Sequence, residues 1–262
     1  MNKDFMQNWL QAVELKKSQL CVGIDPAEWQ QREKNTLKEN ENKLKWCLKM
    51  IKAVAPYAAA IKPNRQYLKD FSREEMQILN HTIHQLGMVS IDDSKLADIG
   101  DTNDAGFYHA AEEGYDAVTY APFPGNIQET VKQATKRNIG TIVLVLMSNP
   151  EFEVIKKATI NDQPGYLYFA EQAKKAEAAG VVIGAPSDKN HIKEDEIHAV
   201  RDIIGEKIVL VPGIGAQGGS LSSIIRTFGK YTIANVGRSI VNANDPALEA
   251  KKFRDFINNE IR

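Results

Sequence analysis

Eight short apolar runs, spaced along the chain with helical patterns between them, restrict its fold more than any other feature. They are "QLCVGI" (19–24), "AAAIK" (58–62), "MVSID" (88–92), "DAVTY" (116–120), "TIVLVLM" (141–147), "GVVIGA" (180–185), "KIVLVP" (207–212) and "YTIANV" (231–236). Each is short and rich in valine, isoleucine or alanine on both alternating faces. That is the pattern of strands buried on both sides, as in a parallel sheet.

The intervening segments read as helices. "SREEMQILNHTIHQLG" (72–87) opens with Ser72 and carries Glu75 three residues on, a capping box, and it ends at Gly87. "LKENENKLKWCLKMIKAV" (37–54) repeats Leu37, Leu44, Leu48 and Ile51 at helical spacing. "GYLYFAEQAKKAEAAG" (165–180) and "KEDEIHAVRDIIG" (193–205) both stop at a glycine, and "DPALEAKKFRDFINNEI" (245–261) places a proline at the first helical position. Eight strand–helix units in 262 residues match the α/β (β/α)8 TIM barrel in number, order and size. An open doubly wound sheet would carry a GxGxxG turn after its first strand, and "CVGIDP" is not one. No linker, repeat or low-complexity segment interrupts the pattern, so residues 1–262 are expected to form a single barrel domain. Residues 25–41 are read as a long loop after the first strand.

Composition narrows the partners. A net charge of −1 disfavours a general nucleic-acid or membrane-surface binder, which would show a basic excess. No apolar stretch approaches the ~18 residues that cross a bilayer, and the N-terminus has no signal-peptide core. Cys21 and Cys47 form neither a CxxC pair nor a zinc spacing, so both read as buried reduced thiols of a cytoplasmic protein. His81 and His84 sit at i, i+3 on a helical pattern, where a solvated face is the simpler reading than a metal site. No metal or cofactor motif is found.

In a barrel of this kind the active site lies where the strands end, with a phosphate often bound beyond the last two. Asp25 follows the first strand, Lys62 ends the second, and Asp93, Lys95 and Asp98 follow the third. One charge after a strand is ordinarily a solvated loop residue; five of alternating sign at the ends of three consecutive strands form an array. A lysine among carboxylates stays protonated, and a carboxylate beside lysine stays ionised. Such a site suits a reaction that creates an anion beside the lysine and then takes its proton. It suits a Schiff base poorly, because imine formation needs a neutral lysine. Asp92 adds a second acid, and spacing alone does not say which of the pair faces a substrate.

At the other end of the site, "VPGIGAQGGS" (211–220) supplies Gly213, Gly215, Gly218, Gly219 and the amide of Gln217, while Gly237 and Arg238 open the turn after the last strand. Close backbone approach and a fork-shaped guanidinium suit a phosphate, although either loop alone could be a tight turn. Ser148, in "MSNPEF", sits where a hydroxyl could read a polar ring or merely cap a helix.

Taken together, Asp93-x-Lys95-x-x-Asp98-Ile99-Gly100-x-Thr102 and the segments "VGIDP", "AIKPN", "APFPG", "MSNP", "VPGIGAQGG" and "NVGRSI" resemble the orotidine 5′-phosphate decarboxylase family. The Asp-x-Lys-x-x-Asp spacing alone is shared with sugar-phosphate relatives; its combination with the glycine-rich loop and Gly-Arg-Ser is far more specific. The resemblance implies decarboxylation of orotidine 5′-monophosphate to UMP, without cofactor or metal, by a homodimer. It also implies residue roles. Lys62, Asp93, Lys95 and Asp98 would form the charged network, with Lys95 the proton donor. Asp98 and Thr102 would reach across a dimer interface. Asp25 and Lys62 would touch the ribose, Ser148 the pyrimidine, and Gln217, Gly237 and Arg238 the phosphate, with the loop around Gln217 closing as a lid. Leu144 and Leu146 are candidates to receive the departing CO2. The alternatives are a metal-dependent sugar-phosphate decarboxylase or aldolase on the same barrel, and a non-catalytic phosphate-binding barrel.

Overall fold

The computed structural model describes residues 4–34, 36–187, 190–214 and 221–261. The chain opens with helix α1 (Phe5–Lys16) and continues through β1 (Leu20–Ile24), α2 (Lys43–Val54), β2 (Ala60–Pro63), α3 (Arg73–Gln85), β3 (Val89–Leu96), α4 (Gly100–Glu112), β4 (Ala117–Tyr120), α5 (Ile127–Lys136) and β5 (Gly140–Leu146). A short helix α6 (Phe152–Lys157) and a small antiparallel hairpin, β6 (Thr159–Ile160) and β7 (Gln163–Pro164), precede α7 (Gly165–Lys175). The rest is β8 (Gly180–Ile183), α8 (Glu194–Ile204), β9 (Ile208–Val211), α9 (Ser222–Phe228), β10 (Thr232–Val236), α10 (Arg238–Val241) and α11 (Pro246–Ile261). Eight strands pair in parallel in the circular order β1-β2-β3-β4-β5-β8-β9-β10, and β10 closes back onto β1. This is the expected (β/α)8 barrel.

Alternation along each strand divides the core in two. Cys21, Ala60, Val89, Ile91, Ala117, Ile142, Leu144, Val182, Ile208, Leu210 and Ile233 pack in one cluster with Phe5, Trp9 and Ala12 of α1. The amphipathic N-terminus is therefore a plug against one end of the barrel, with Trp9 fully buried and its Nε1–H donated to the Lys230 carbonyl at 3.2 Å. The larger cluster lies between strands and surrounding helices, including Val22, Ile61, Val118, Val143, Ile183, Val209 and Ala234. Parallel strands buried on both faces are what the continuous apolar runs require.

Local signals act as the sequence suggests. Ser72 and Glu75 form the capping box of α3, and Gly87 follows it at φ +71°. Gly205 ends α8 at φ +64°, and Pro246 starts α11. Helix α2 begins later than its pattern, at Lys43, capped by Asn42; Leu37 instead anchors the long first loop through its amide to the Ala27 carbonyl at 2.8 Å. Helix α7 ends at Lys175, short of Gly180, because Glu177 takes the left-handed turn and Gly180 already belongs to β8. Cys21 and Cys47 are buried free thiols, each pushed up to about 12 by burial. Among the described residues no helix is long and apolar enough to cross a membrane.

Candidate active site

The site grows out of strand alternation. Val89 and Ile91 of β3 face the barrel interior, so Asp93 faces it too, while Ser90 and Asp92 face the helices. In the adjacent β2, Ala60 faces inward and brings Lys62 with it. The two buried side chains meet at the C-terminal ends of their strands, where Lys62 Nζ pairs with Asp93 Oδ2. Lys95 Nζ pairs with the other oxygen, Oδ1, and its side chain stays 45 % exposed at the barrel mouth. One carboxylate is thus shared by two ammonium groups. Burial would raise the Asp93 carboxyl, but the charges of Lys62 and then Lys95 outweigh it and hold it well below the usual carboxylate range. Burial would likewise lower Lys62, yet Asp93 and next Asp25 keep it above the ordinary lysine value. The cluster is charged and held on strands, which suits electrostatic work on an anion.

Strand β3 continues four residues beyond the expected end at Asp92, and it does so through an irregularity. Asp92 pairs with Val118 of β4, and the next pair is Leu96 with Tyr120. Residues 93–95 are therefore set against Thr119 alone. Lys95 adopts φ +51°, a left-handed conformation that a residue with a Cβ rarely takes.

Asp92 is settled by the same alternation. It points outward, where Arg65 Nη2 donates to Asp92 Oδ2 at 2.9 Å and also pairs with Glu113. Burial pushes the Asp92 carboxyl up, against the pull of Arg65. It is Asp93, not Asp92, that faces the site.

The other expected residues take varied places. Asp25 is half-buried after β1, with its carbonyl accepting from Arg32 Nη2 at 2.9 Å. Ser148 follows β5 against Gly184, where an added Cβ would lie 2.6 Å from the Ser148 Cβ; only a glycine admits that approach. Leu144 faces the interior, but the register shift between Leu144 and Leu146 turns Leu146 into the outer cluster, which removes it from the proposed CO2 contact. Gly213 follows β9 at φ +91°. Gln217, with Gly215, Gly218 and Gly219, lies outside the described residues. Gly237 leads from β10 into α10, and Arg238 is exposed at its start, with no ion pair among the described residues.

Asp98 and Thr102 do not join the cluster within one chain. Asp98 is half-buried, its Oδ1 accepting from the Ile99 amide at 2.9 Å, and Thr102 is exposed in the first turn of α4. Ile99 and Phe123 beside them are 62 % and 93 % exposed. The loops carrying these residues are tied together by Asn126 Nδ2 to the Asp98 carbonyl at 3.2 Å and the Ala121 amide to the Leu96 carbonyl at 2.8 Å.

Three polar groups were not anticipated. Thr119 and Asn235 face the barrel interior from β4 and β10, and Asn235 Oδ1 is buried without a partner among the described residues. A lone hydroxyl or amide within an apolar strand was the available signal. Arg65, in "KPNRQYL", carried no signal beyond its charge. Among the described residues no group of three or more histidine, cysteine or acidic side chains could hold a metal ion; His84 instead pairs with Asp116 at 2.8 Å.

A closed parallel barrel whose second and third strands present a Lys–Asp–Lys cluster at their C-terminal ends has the architecture of a (β/α)8 enzyme. The sequence places it more narrowly. A family model described as Orotidine 5'-phosphate decarboxylase / HUMPS family matches residues 18–253, and the chain belongs to that family. It is 30 % identical to the orotidine 5'-phosphate decarboxylase of Cupriavidus necator, over 91 % of this chain and 87 % of the relative. It is 28 % identical to that of Herpetosiphon aurantiacus, over 95 % and 94 %. Among solved structures, the Leishmania donovani OMP decarboxylase superposes with a TM-score of 0.80 at 26 % identity, covering 99 % of both chains.

Proposed function

We propose that this barrel removes CO2 from orotidine 5′-monophosphate to give UMP, a step of pyrimidine biosynthesis, and that the Lys62–Asp93–Lys95 cluster is its catalytic centre. The observation that carries this reading is the inward-facing cluster at the barrel mouth of a chain that belongs to the decarboxylase family. The chemical difficulty is severe. Loss of CO2 leaves an electron pair at C6 in the plane of the ring, where it cannot delocalise into the π system. Barrier reductions for such slow reactions are on the order of 20 kcal/mol.

Lys95, as an ammonium against C6, stabilises the electron pair as the C6–CO2 bond breaks and then gives C6 its proton. Asp93 holds Lys95 from one side and lies toward the substrate carboxylate. Asp25 and Lys62 take the ribose hydroxyls, and Ser148 takes the pyrimidine. Gln217, Gly237 and Arg238 take the phosphate, whose remote binding energy closes the site and excludes water. Leu144 offers the apolar wall for CO2.

The reading includes a homodimer, in which Asp98 of the partner subunit supplies the second carboxylate to Lys95 and Thr102 accompanies it. The exposed Ile99 and Phe123 flank these residues, and a partner would cover them. One domain of residues 1–262, acting in the cytoplasm, completes it.

The test is direct. Purified protein mixed with orotidine 5′-monophosphate is expected to consume it, followed by loss of its absorbance, with UMP and CO2 as products and the same rate in EDTA. Absence of turnover, or metal-dependent action on a keto-sugar phosphate instead, overturns the reading.

A further inference from the structure

Lys95 is the one described non-glycine residue with positive φ that lies within a strand; the others, such as Lys17, Asn138 and Glu177, stand at helix ends and turns. Something must hold a left-handed lysine in a β-strand. The backbone of β4 cannot do it alone, because Thr119 stands singly against residues 93–95, between the pairs Asp92–Val118 and Leu96–Tyr120. The Lys95 amide has no ladder partner there. It donates to the Thr119 side chain, Oγ1, at 2.9 Å. The same hydroxyl donates back to the Asp92 carbonyl at 3.2 Å, and Asp93 Oδ1 lies 3.4 Å from it. One hydroxyl therefore joins Asp92, the residue before the irregularity, to Lys95, the last residue within it. Thr119 is only 2 % exposed, so water does not substitute for it.

We infer that Thr119 is a positioning residue for decarboxylation: its hydroxyl fixes the bulge of β3 and thereby aims the Lys95 ammonium at the reacting carbon. This deepens the functional reading and rests on it. The β-branched side chain is stiff at χ1, so the hydroxyl has a defined direction. Bulges commonly re-aim a side chain at a functional site, and left-handed strain persists only where the surroundings enforce it. Thr119 touches no substrate in this account; it acts through Lys95.

The discriminating variants are Thr119→Val, which keeps the shape and removes the hydroxyl, and Thr119→Ser, which keeps the hydroxyl. In Thr119→Val, kcat is expected to fall roughly 10- to 100-fold, as for a displaced catalytic group, with KM changed less than about 3-fold. Thr119→Ser is expected to retain kcat within about 3-fold. A wild-type kcat in Thr119→Val, or an equal loss in both variants, overturns the inference. Wild-type inactivity on orotidine 5′-monophosphate would instead overturn the functional reading. If Thr119→Val does not fold, hydrogen exchange on the wild type decides. The Lys95 amide should be protected relative to the exposed Ala97, and equal exchange at both contradicts the proposed anchor.

Discussion

Asp92 and Asp93 are neighbours in one strand, yet they serve opposite charge clusters. Inside the barrel mouth, one carboxylate, Asp93, is shared by two cations, Lys62 and Lys95. Behind the strand, one cation, Arg65, is shared by two carboxylates, Asp92 and Glu113. The first cluster sets two cations around one carboxylate, with Asp25 also acting on Lys62, and opens to solvent through Lys95. The second carries surplus negative charge and is largely sealed, with Arg65 22 % exposed and Asp92 4 %. The stoichiometry explains why burial is overcome at Asp93 and prevails at Asp92. It also separates their tasks: an ammonium group exposed at an open mouth is available to a developing anion, whereas a closed triad holds strand, helix and loop together.

Lys95→Ala is expected to reduce turnover of orotidine 5′-monophosphate by more than about 10³-fold, since it removes both the charge and the proposed proton donor. The protein should remain folded and still bind UMP, because the side chain is nearly half exposed and Asp93 keeps Lys62 as a partner. Near-normal turnover in a steady-state assay would refute the role.

The sealed side should respond in the opposite manner. Arg65→Ala leaves Asp92 and Glu113 facing each other without a cation, and a loss of about 3 kcal/mol is expected, at the low end for a broken buried pair because Arg65 is partly exposed. Urea unfolding measures it; kcat below the melting range should stay within about 3-fold of wild type. A stable but inactive Arg65→Ala would place that cluster in the chemistry.

The subtlest contrast is in pH. A carboxyl in the unfolded chain titrates near 3.9. The folded-state value of Asp93 is lowered, so its contribution to stability is complete above that point and fades as pH falls through the folded value. The value of Asp92 is raised, so its contribution is complete below about 3.9 and is lost as pH rises through the folded value. As pH rises toward about 3.9, then, Asp93→Asn should fall progressively behind wild type and level off above that point, whereas Asp92→Asn should gain on wild type as pH rises beyond about 3.9. Slopes of the same sign would contradict the assignment.

Much of this was legible in the chain itself. The eight runs fix the barrel because burial on both faces leaves a distinct composition, and Ser72, Gly205 and Pro246 mark helix limits by mechanisms local to a few residues. Lys62, Asp93 and Lys95 were visible as charges at strand ends. What was not legible depends on register. Whether Asp92 or Asp93 faces inward is a difference of one residue, and one-residue slips exchange the two faces of a strand. The bulge at residues 93–95 and the shift at Leu144–Leu146 are likewise properties of pairing between strands. Arg65 reaches Asp92 and Glu113 across three elements, and nothing local announces that contact.

The most direct measurement is a crystal structure with UMP bound. The account predicts the Lys95 Nζ within about 3–3.5 Å of C6, the geometry of a group poised to transfer a proton, with Asp93 still bridging both lysines and Arg238 on the phosphate. A Lys95 ammonium turned to solvent, with the ring of UMP bound elsewhere than beside Asp93, would contradict it.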